Sequence, residues 1–177
     1  IEWQREDKET VILGSNATLK IISPGDRTYE DLYTIEVGRI RMDVYKNNKL
    51  YWSGALDPEF YEEPYEMANG YEVSLTFSDF GILDRIKYDL SGIQTIRDII
   101  TYALQRAVIL YSGLNTDYIT TTFTDGASIT GGGISVRSEN FVDEDGEAST
   151  LYEVLEGILQ PLAVRIVQRA GTIYLYD

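Results

Sequence analysis

Two hydrophobic periodicities follow one another along this sequence, and their order limits the fold more than any other feature. In the first half, apolar residues alternate with polar ones, for example at Tyr71, Val73 and Leu75, which is the period of a half-buried strand. In the second half, apolar residues return every three or four positions, as in a helix with one buried face. This order predicts an α+β fold, with a strand-rich N-terminal part followed by two amphipathic helices packed on sheet, and it argues against alternating βαβ units.

The clearest strand signal is a hairpin with arms at 40–46 and 49–56. Its turn is Asn47-Asn48, and asparagine tolerates the positive φ that a tight two-residue turn requires. The alternation before the turn extends back to Leu32 and slips by one residue at Gly38-Arg39, which predicts a β-bulge there. Further strands are predicted at 17–22 and 71–77.

Both predicted helices begin with a capping box, in which a threonine side chain and an acidic side chain satisfy free N–H groups. Thr95 precedes the first helix, whose apolar stripe predicts that it runs to about Tyr111 and stops before Gly113. Thr150 precedes the second helix, and Pro161 ends it.

The chain is predicted to finish as a β-hairpin, with arms at 162–169 and 172–176 joined by an Ala170-Gly171 turn. Between the helices, residues 115–148 are rich in Thr, Ser, Gly and Asp. A long stretch without secondary structure is uncommon inside a compact domain, so we predict short strands within 118–123 and 134–136.

The change of periodicity suggests a boundary near residue 90. We predict a strand-rich domain at 1–90 and an α+β domain at 91–177, or one domain that contains both. The sequence starts with Ile1 rather than Met, so we expect it to be a piece of a longer chain. Since no apolar run approaches the ~18 residues of a membrane helix, we expect a soluble protein that does not contact a membrane.

The composition excludes several kinds of site. The sequence contains no Cys and no His, which argues against disulfide scaffolds, thiol catalysis, histidine-dependent triads and nearly every zinc or copper site. It contains 15 Lys and Arg against 29 Asp and Glu, for a net charge of −14. Because phosphate backbones repel so acidic a chain, we expect no contact with nucleic acid.

Two loop motifs fail as ligand sites. The acidic stretch 143–146 begins like an EF-hand loop, but positions five and twelve of that loop would be Glu147 and Val154, and the spacing does not fit. We interpret it as an acidic turn before a helix, where negative charge is favourable. The run at 131–133 is three glycines, but the lysine and the helix that a phosphate-binding loop needs do not follow. No metal or cofactor is therefore predicted.

Segment 57–66 combines acidic, aromatic and proline residues. A glycoside hydrolase would need two carboxylates held about 5 to 9.5 Å apart across a cleft. The carboxylates available for such a pair are Asp57, Glu59, Glu62 and Glu63. Acidic residues are so abundant in this sequence that their proximity along the chain is weak support for catalysis.

The aromatic residues of segment 57–66 favour a different role. Pro58 and Pro64 keep the segment out of a regular β ladder, so its rings either fold back onto the sheet or contact a partner. We predict a partner interface, in which the rings are the anchors and the carboxylates form the polar rim. The predicted interface residues are Phe60, Tyr61, Tyr65, Glu62 and Glu63.

An ordered set of sequence pieces resembles a known family. A strand at 49–56 carries Trp52 and Gly54, and the strand after it closes on Asp79, with Gly81 and Leu83 soon after. A Thr-x-x-Glu-Val-Leu-Glu-x-Ile-Leu helix at 150–159 and a hairpin at 162–176 complete the set. Over 50–110 and 147–177 the sequence resembles the baseplate hub and tail-tip proteins of bacteriophage tails and related prophage particles. The resemblance implies a β-barrel-like N-terminal part, a threefold ring at the end of the tail tube, and no catalysis.

The expected function is therefore non-enzymatic: a structural component of a phage tail, located in the virion tail or, during assembly, in the bacterial cytoplasm. Its expected partners are other copies of itself and neighbouring tail proteins. One alternative is a carbohydrate-binding or adhesin module, because Tyr is frequent, with 14 residues against 5 Phe, and such rings stack on sugars. The other is the carboxylate-dependent glycoside hydrolase described above.

Overall fold

A computed structural model of the chain describes residues 1–3, 10–24, 29, 32, 36, 38–57, 70–120 and 134–177. Within these residues the chain forms mixed α+β structure, rich in strands. The strands are β1 Glu2–Trp3, β2 Ile12–Leu13, β3 Ser15–Ser23, β4 Arg41–Lys46, β5 Lys49–Leu56, β6 Tyr71–Ser78, β7 Ile93–Thr95, β8 Gly113–Tyr118, β9 Ser135–Arg137, β10 Arg165–Arg169 and β11 Thr172–Tyr176. The helices are α1 Ile96–Arg106 and α2 Leu151–Leu159.

The β4–β5 hairpin is confirmed with its predicted turn. Asn47 and Asn48 have φ angles of 52° and 59°, the left-handed pair that a tight hairpin turn requires. The extension of this strand back to Leu32 and the bulge at Gly38-Arg39 are wrong. Gly38, at φ 71°, turns the chain before β4 begins, and the register shift of the hairpin falls between Val44 and Tyr45.

Five antiparallel strands form the N-terminal sheet, in the order β1-β3-β6-β5-β4. The predicted alternation of β6 is confirmed, because Tyr71, Val73, Leu75 and Phe77 all belong to one buried cluster that also contains Trp52. Among the described strands no sheet closes into a barrel, so the barrel-like part of the prediction is not confirmed.

Helix α1 begins after Thr95 as predicted, but its capping box is incomplete, because Asp98 Oδ2 accepts the Thr95 hydroxyl at 2.6 Å instead of a main-chain N–H, and the helix ends early. Thr95 Oγ1 accepts the N–H of Asp98 at 3.1 Å, which caps the N-terminus. The helix ends at Arg106 rather than Tyr111 because Val108 adopts a left-handed φ of 57°. The N–H of Ile109 then bonds the carbonyl of Leu104 at 3.3 Å, which closes a Schellman-type C-terminus. A β-branched residue is rare in this conformation, so the early end of α1 could not be predicted from the residue type at this position.

Helix α2 and the C-terminal hairpin follow the sequence pattern closely. Thr150 and Glu153 form a complete capping box, and Pro161 lies in the short 3-10 turn that follows the helix. The β10–β11 turn has left-handed φ angles at Ala170 and Gly171, 48° and 74°. Strand β10 begins at Arg165 rather than at 162, because 160–162 complete the 3-10 turn.

The C-terminal sheet contains strands that the sequence did not indicate. Its order is β2-β10-β11-β8, and both outer strands run parallel to their neighbours. Strand β8 spans Gly113–Tyr118 instead of 118–123, of which 121–123 lie outside the described residues. The strand expected at 134–136 is β9, Ser135–Arg137, and it pairs with β7.

The larger core lies between the two helices and the inner face of the C-terminal sheet. It contains Ile100 of α1, Leu155 of α2 and Ile173 of β11, all fully buried or nearly so. Ile12 of β2 and Ala55 of β5 belong to the same cluster. The N-terminal chain therefore contributes to the C-terminal core, and the boundary near residue 90 stays a prediction.

Candidate functional site

The predicted interface residues Phe60, Tyr61, Glu62, Glu63 and Tyr65 lie outside the described residues. Of the carboxylates considered for a hydrolase pair, the structure describes Asp57, which binds the Arg85 guanidinium at 3.0 Å. Both the interface and the hydrolase interpretation of segment 57–66 therefore stay predictions.

The residues that carry the family resemblance meet inside the protein. Trp52 and Asp79 are fully buried, and Leu83 is fully buried beside Phe80 in the larger core. Gly54 lies against the Trp52 ring and the Ser78 carbonyl. These residues come from β5, from the end of β6 and from the 3-10 turn after it. The motif thus fixes how these elements pack.

Ser15 connects the two polar side chains of this cluster. The indole Nε1 of Trp52 donates to Ser15 Oγ at 2.8 Å, and Ser15 Oγ donates to Asp79 Oδ2 at 2.6 Å. The main-chain N–H groups of Ser15 and Phe80 both donate to Asp79 Oδ1, at 2.8 and 2.7 Å. The sequence offered no signal for Ser15, because it lies more than 35 residues from either partner and has no distinctive spacing.

Burial raises the pKa of Asp79 from 3.8 to about 6, against the lowering effect of the Ser15 and Phe80 hydrogen bonds. A carboxyl that is partly protonated near neutral pH often marks an active site. Here the carboxyl is fully buried, and the adjoining cavity of about 80 Å³ is smaller than a typical ligand pocket. We therefore assign the Trp52–Ser15–Asp79 network a structural role.

A second buried polar contact joins the two large sheets. Gln168 of β10 accepts the N–H of Ser53 at 2.7 Å and donates to the Ser53 carbonyl at 2.9 Å. The Ser53 hydroxyl donates to Asp43 at 2.7 Å and accepts the N–H of Leu110 at 3.1 Å. The paired bonds of Gln168 and Ser53 imitate a strand pairing, and they hold the β4–β5 hairpin against the C-terminal hairpin.

The outer face of the C-terminal sheet carries an aromatic cleft. It has a volume of about 480 Å³ and is lined by Tyr118, Val167, Arg169, Tyr174, Tyr176 and Asp177. The rings of Tyr118 and Tyr174 lie 5.9 Å apart between centroids and are tilted by 53°. No sequence-based prediction covered this site, although the alternation of Tyr174 and Tyr176 along β11 was a signal that the two share a face.

The described part of the chain shows neither a metal-binding cluster nor a membrane-spanning helix. Within it, no three or more His, Cys, Asp or Glu residues come together as metal ligands. The acidic stretch after Val142 forms a turn, in which Asp143 Oδ1 accepts the N–H groups of Asp145 and Glu147 at 3.0 and 2.8 Å. None of the helices in the described part has the length and apolar character needed to cross a membrane.

Comparison with protein-family models and with curated proteins finds no match to this sequence. The family resemblance of Trp52, Gly54 and Asp79 is therefore carried forward as a proposal. In the structure these residues belong to the buried network around Trp52 and Asp79.

Proposed function

We propose that the protein is a non-enzymatic structural component of a phage tail, in the baseplate hub or the tail tip. The proposal starts from the motif that resembles that family, whose residues build an internal network around Trp52 and Asp79. A motif that sets the packing of strands is consistent with an architectural protein. The tail assignment predicts that the neighbouring genes encode tail-tube and tape-measure proteins.

The observation that carries an assembly role is the outer edge of β3. Strand β1 pairs with β3 at Asn16 and Ser15, and no described strand pairs with residues 17–22 on that side. Ile22 is 75% exposed and Leu19 is 42% exposed in this stretch, on opposite faces of the sheet. In the described residues this stretch of β3 is a surface onto which a further strand can add.

The lysine on this edge does not act as an unpaired charge that would prevent pairing with other chains. Natural sheets often place a free lysine on an open edge to prevent pairing with other chains. Here the Lys20 ammonium binds the Glu72 carboxylate of β6 at 2.7 Å, so its charge is matched within the sheet. The edge is then compatible with an apolar contact to a different surface of the next copy, which is the head-to-tail contact that a threefold ring of identical subunits requires.

In this proposal the partners are other copies of the chain, arranged as a threefold ring, and neighbouring tail proteins. The finer expectations of a barrel-like N-terminal part and of a location in the virion tail, or in the bacterial cytoplasm during assembly, belong to the same proposal. The net charge of −14 supports a role without contact with nucleic acid, since an acidic surface repels phosphates. No enzymatic activity and no cofactor are proposed.

Replacing Ile22 by Lys is expected to abolish self-association of the intact protein, because a charge would be buried in the strand contact. Oligomer mass measured by analytical ultracentrifugation should fall to that of the monomer, with an unchanged circular dichroism spectrum. The matched control is Ile93→Lys, since Ile93 is 68% exposed on β7, in a different sheet. If both variants keep the wild-type mass, the β3 edge is not the contact between copies.

The predicted interface of segment 57–66 is tested by replacing Phe60, Tyr61 and Tyr65 together with Ala in the intact protein. Truncation of true interface anchors costs about 2 kcal/mol or more for each, so assembled particles should be lost while the chain stays folded. Particle yield and oligomer mass are the measurements. Unchanged folding together with unchanged assembly would show that these rings are not the contact.

A further inference from the structure

We propose that the aromatic cleft on the outer face of the C-terminal sheet binds a neutral oligosaccharide. This role goes beyond assembly and does not depend on it. The cleft combines tyrosine rings from β8 and β11 with one basic and one acidic side chain, Arg169 and Asp177. A β-bulge brings the rings together.

The bulge lies in β8. Tyr174 pairs with Asn115, but Tyr176 pairs with Tyr118, so β8 contains one residue more than β11 over this interval. In regular pairing Tyr176 would lie opposite Asp117, and Tyr118 would point to the inner face. The bulge reverses that direction and places Tyr118 on the outer face, beside Tyr174. Bulges often redirect side chains at functional sites.

The inner face of β8 confirms the change of direction. Leu114 and Thr116 line the inner cavity beside the helices, and Ile119 lines it too, three residues after Thr116 rather than two. Asp117 is therefore the extra residue. Its N–H is bound by Asn115 Oδ1 at 2.9 Å, and the N–H of Ile119 is bound by the Thr116 carbonyl at 3.2 Å.

These hydrogen bonds hold the aromatic side chains in place before any ligand arrives. Asn115 forms an Asx-type turn that fixes the bulge. Just beyond it, the Thr120 N–H donates to Asp177 Oδ2 at 3.0 Å, which ties the end of β8 to the end of β11. Tyr118 is 60% exposed, so a ligand can reach its ring.

The lining of the cleft fits a neutral, polyhydroxylated ligand. Tyrosine rings offer apolar faces to the C–H groups of a sugar ring, and their hydroxyls offer hydrogen bonds at the rim. Arg169 carries N–H donors, and the Asp177 carboxylate can accept further hydrogen bonds beside those from Thr120, so both kinds of group that a sugar hydroxyl pairs with line the cleft. The opposite charges of these two groups disfavour a strongly anionic or cationic ligand.

The shape of the face also favours a small ligand over a protein partner. The cleft volume of about 480 Å³ lies within the usual range for small-molecule sites. A protein interface needs roughly 800 Å² on each side, but next to the cleft Leu13 and Val167 of this face are already 97% covered. The exposed aromatic surface is therefore concave and narrow.

The test is titration of the whole chain with maltohexaose, cellohexaose and chitohexaose, followed by NMR chemical shifts of the β8 and β11 amides. At least one of the three should bind and shift these amides. Tyr118→Ala should lower the affinity about tenfold, since the apolar face of an aromatic ring is lost from the contact with the sugar. Tyr118→Phe should keep most of the affinity.

Substitutions at two further positions test whether a loss of sugar binding comes from the cleft itself. Tyr45→Ala removes an equally exposed tyrosine, at 58%, from the other sheet and should leave binding unchanged. Asn115→Ala should weaken binding by releasing the bulge, whereas Asn115→Asp keeps the acceptor oxygen and should restore it.

Failure of all three oligosaccharides to bind would overturn the proposal, as would equal losses in Tyr45→Ala and Tyr118→Ala. A Tyr118→Ala variant that loses self-association instead of sugar binding would identify the face as a protein interface. These outcomes are independent of the Ile22→Lys experiment, because that variant changes the N-terminal sheet and leaves the cleft intact.

Discussion

Replacing Gly54 by Ala is expected to destabilise the protein by about 3 kcal/mol, at the upper end of the usual cost of overpacking a core. A Cβ atom at this position would lie 2.7 Å from Cζ2 of Trp52 and 2.8 Å from the Ser78 carbonyl oxygen. Neither neighbour can move easily. The indole is fully buried and bound to Ser15 Oγ, and the carbonyl belongs to the main chain of β6.

The measurement is urea unfolding followed by fluorescence. Gly157→Ala is the control, because Gly157 lies in the exposed face of α2 with open space around it, and it should stabilise the helix by roughly 0.5–1 kcal/mol. Combining Gly54→Ala with Trp52→Leu should cost less than the sum of the two single changes, since a smaller side chain relieves the clash. Additive costs would show that Gly54 is not needed to accommodate the ring.

Local chemistry explains the parts of the fold that the sequence predicted well. The Asn47-Asn48 and Ala170-Gly171 turns and the threonine caps depend on residues within four positions of each other. Each is decided by backbone preferences that neighbouring residues express directly. The strand order within each hairpin follows from the turn, because a two-residue turn leaves antiparallel pairing as the only option.

The features that the sequence did not predict depend on distant contacts. Strand β2 has two residues and is defined by pairing with β10, about 150 positions later. The end of α1 depends on Val108, whose carbonyl binds the Arg41 guanidinium at 3.2 Å and whose side chain lies where a Cβ on Gly38 would be. The aromatic cleft depends on one extra residue in β8. None of these contacts leaves a periodic pattern in the chain.

The Ser53–Gln168 contact is a further feature that could not be predicted from neighbouring residues. Gln168 is a polar residue next to Arg169 near the end of β10, and by itself it predicts an exposed position. It is fully buried because its amide satisfies the main chain of β5, 115 residues away. A buried amide with both of its groups paired contributes specificity of docking, since a shifted hairpin would leave it unsatisfied.

We expect a second large effect from Asp79, on how the free energy of unfolding changes with pH. Its pKa in the folded protein is raised to about 6 by burial, above the value of 3.8 expected for an unfolded chain. The folded state therefore binds this proton more tightly than the unfolded state does. The stability that results is fully present below pH 3.8 and is lost as the pH rises through 6, and its size is roughly 3 kcal/mol.

Asp79→Asn isolates this contribution from the titration of the other carboxylates. The free energy of unfolding of the wild type minus that of the variant should rise by roughly 2.5 kcal/mol as the pH falls from 8 to 4, whatever its starting value. Urea unfolding across this range measures it.

Asp79→Ala tests the hydrogen bonds separately from the charge. It leaves the Ser15 and Phe80 N–H groups without their acceptor, and each unpaired buried donor costs about 1–3 kcal/mol, so this variant should be less stable than Asp79→Asn at every pH. A difference between wild type and Asp79→Asn that does not change with pH would mean that Asp79 ionises at its ordinary pKa. Its three hydrogen bonds would then offset the effect of burial on the pKa, and the network with Trp52 would hold the sheet together without any dependence on pH.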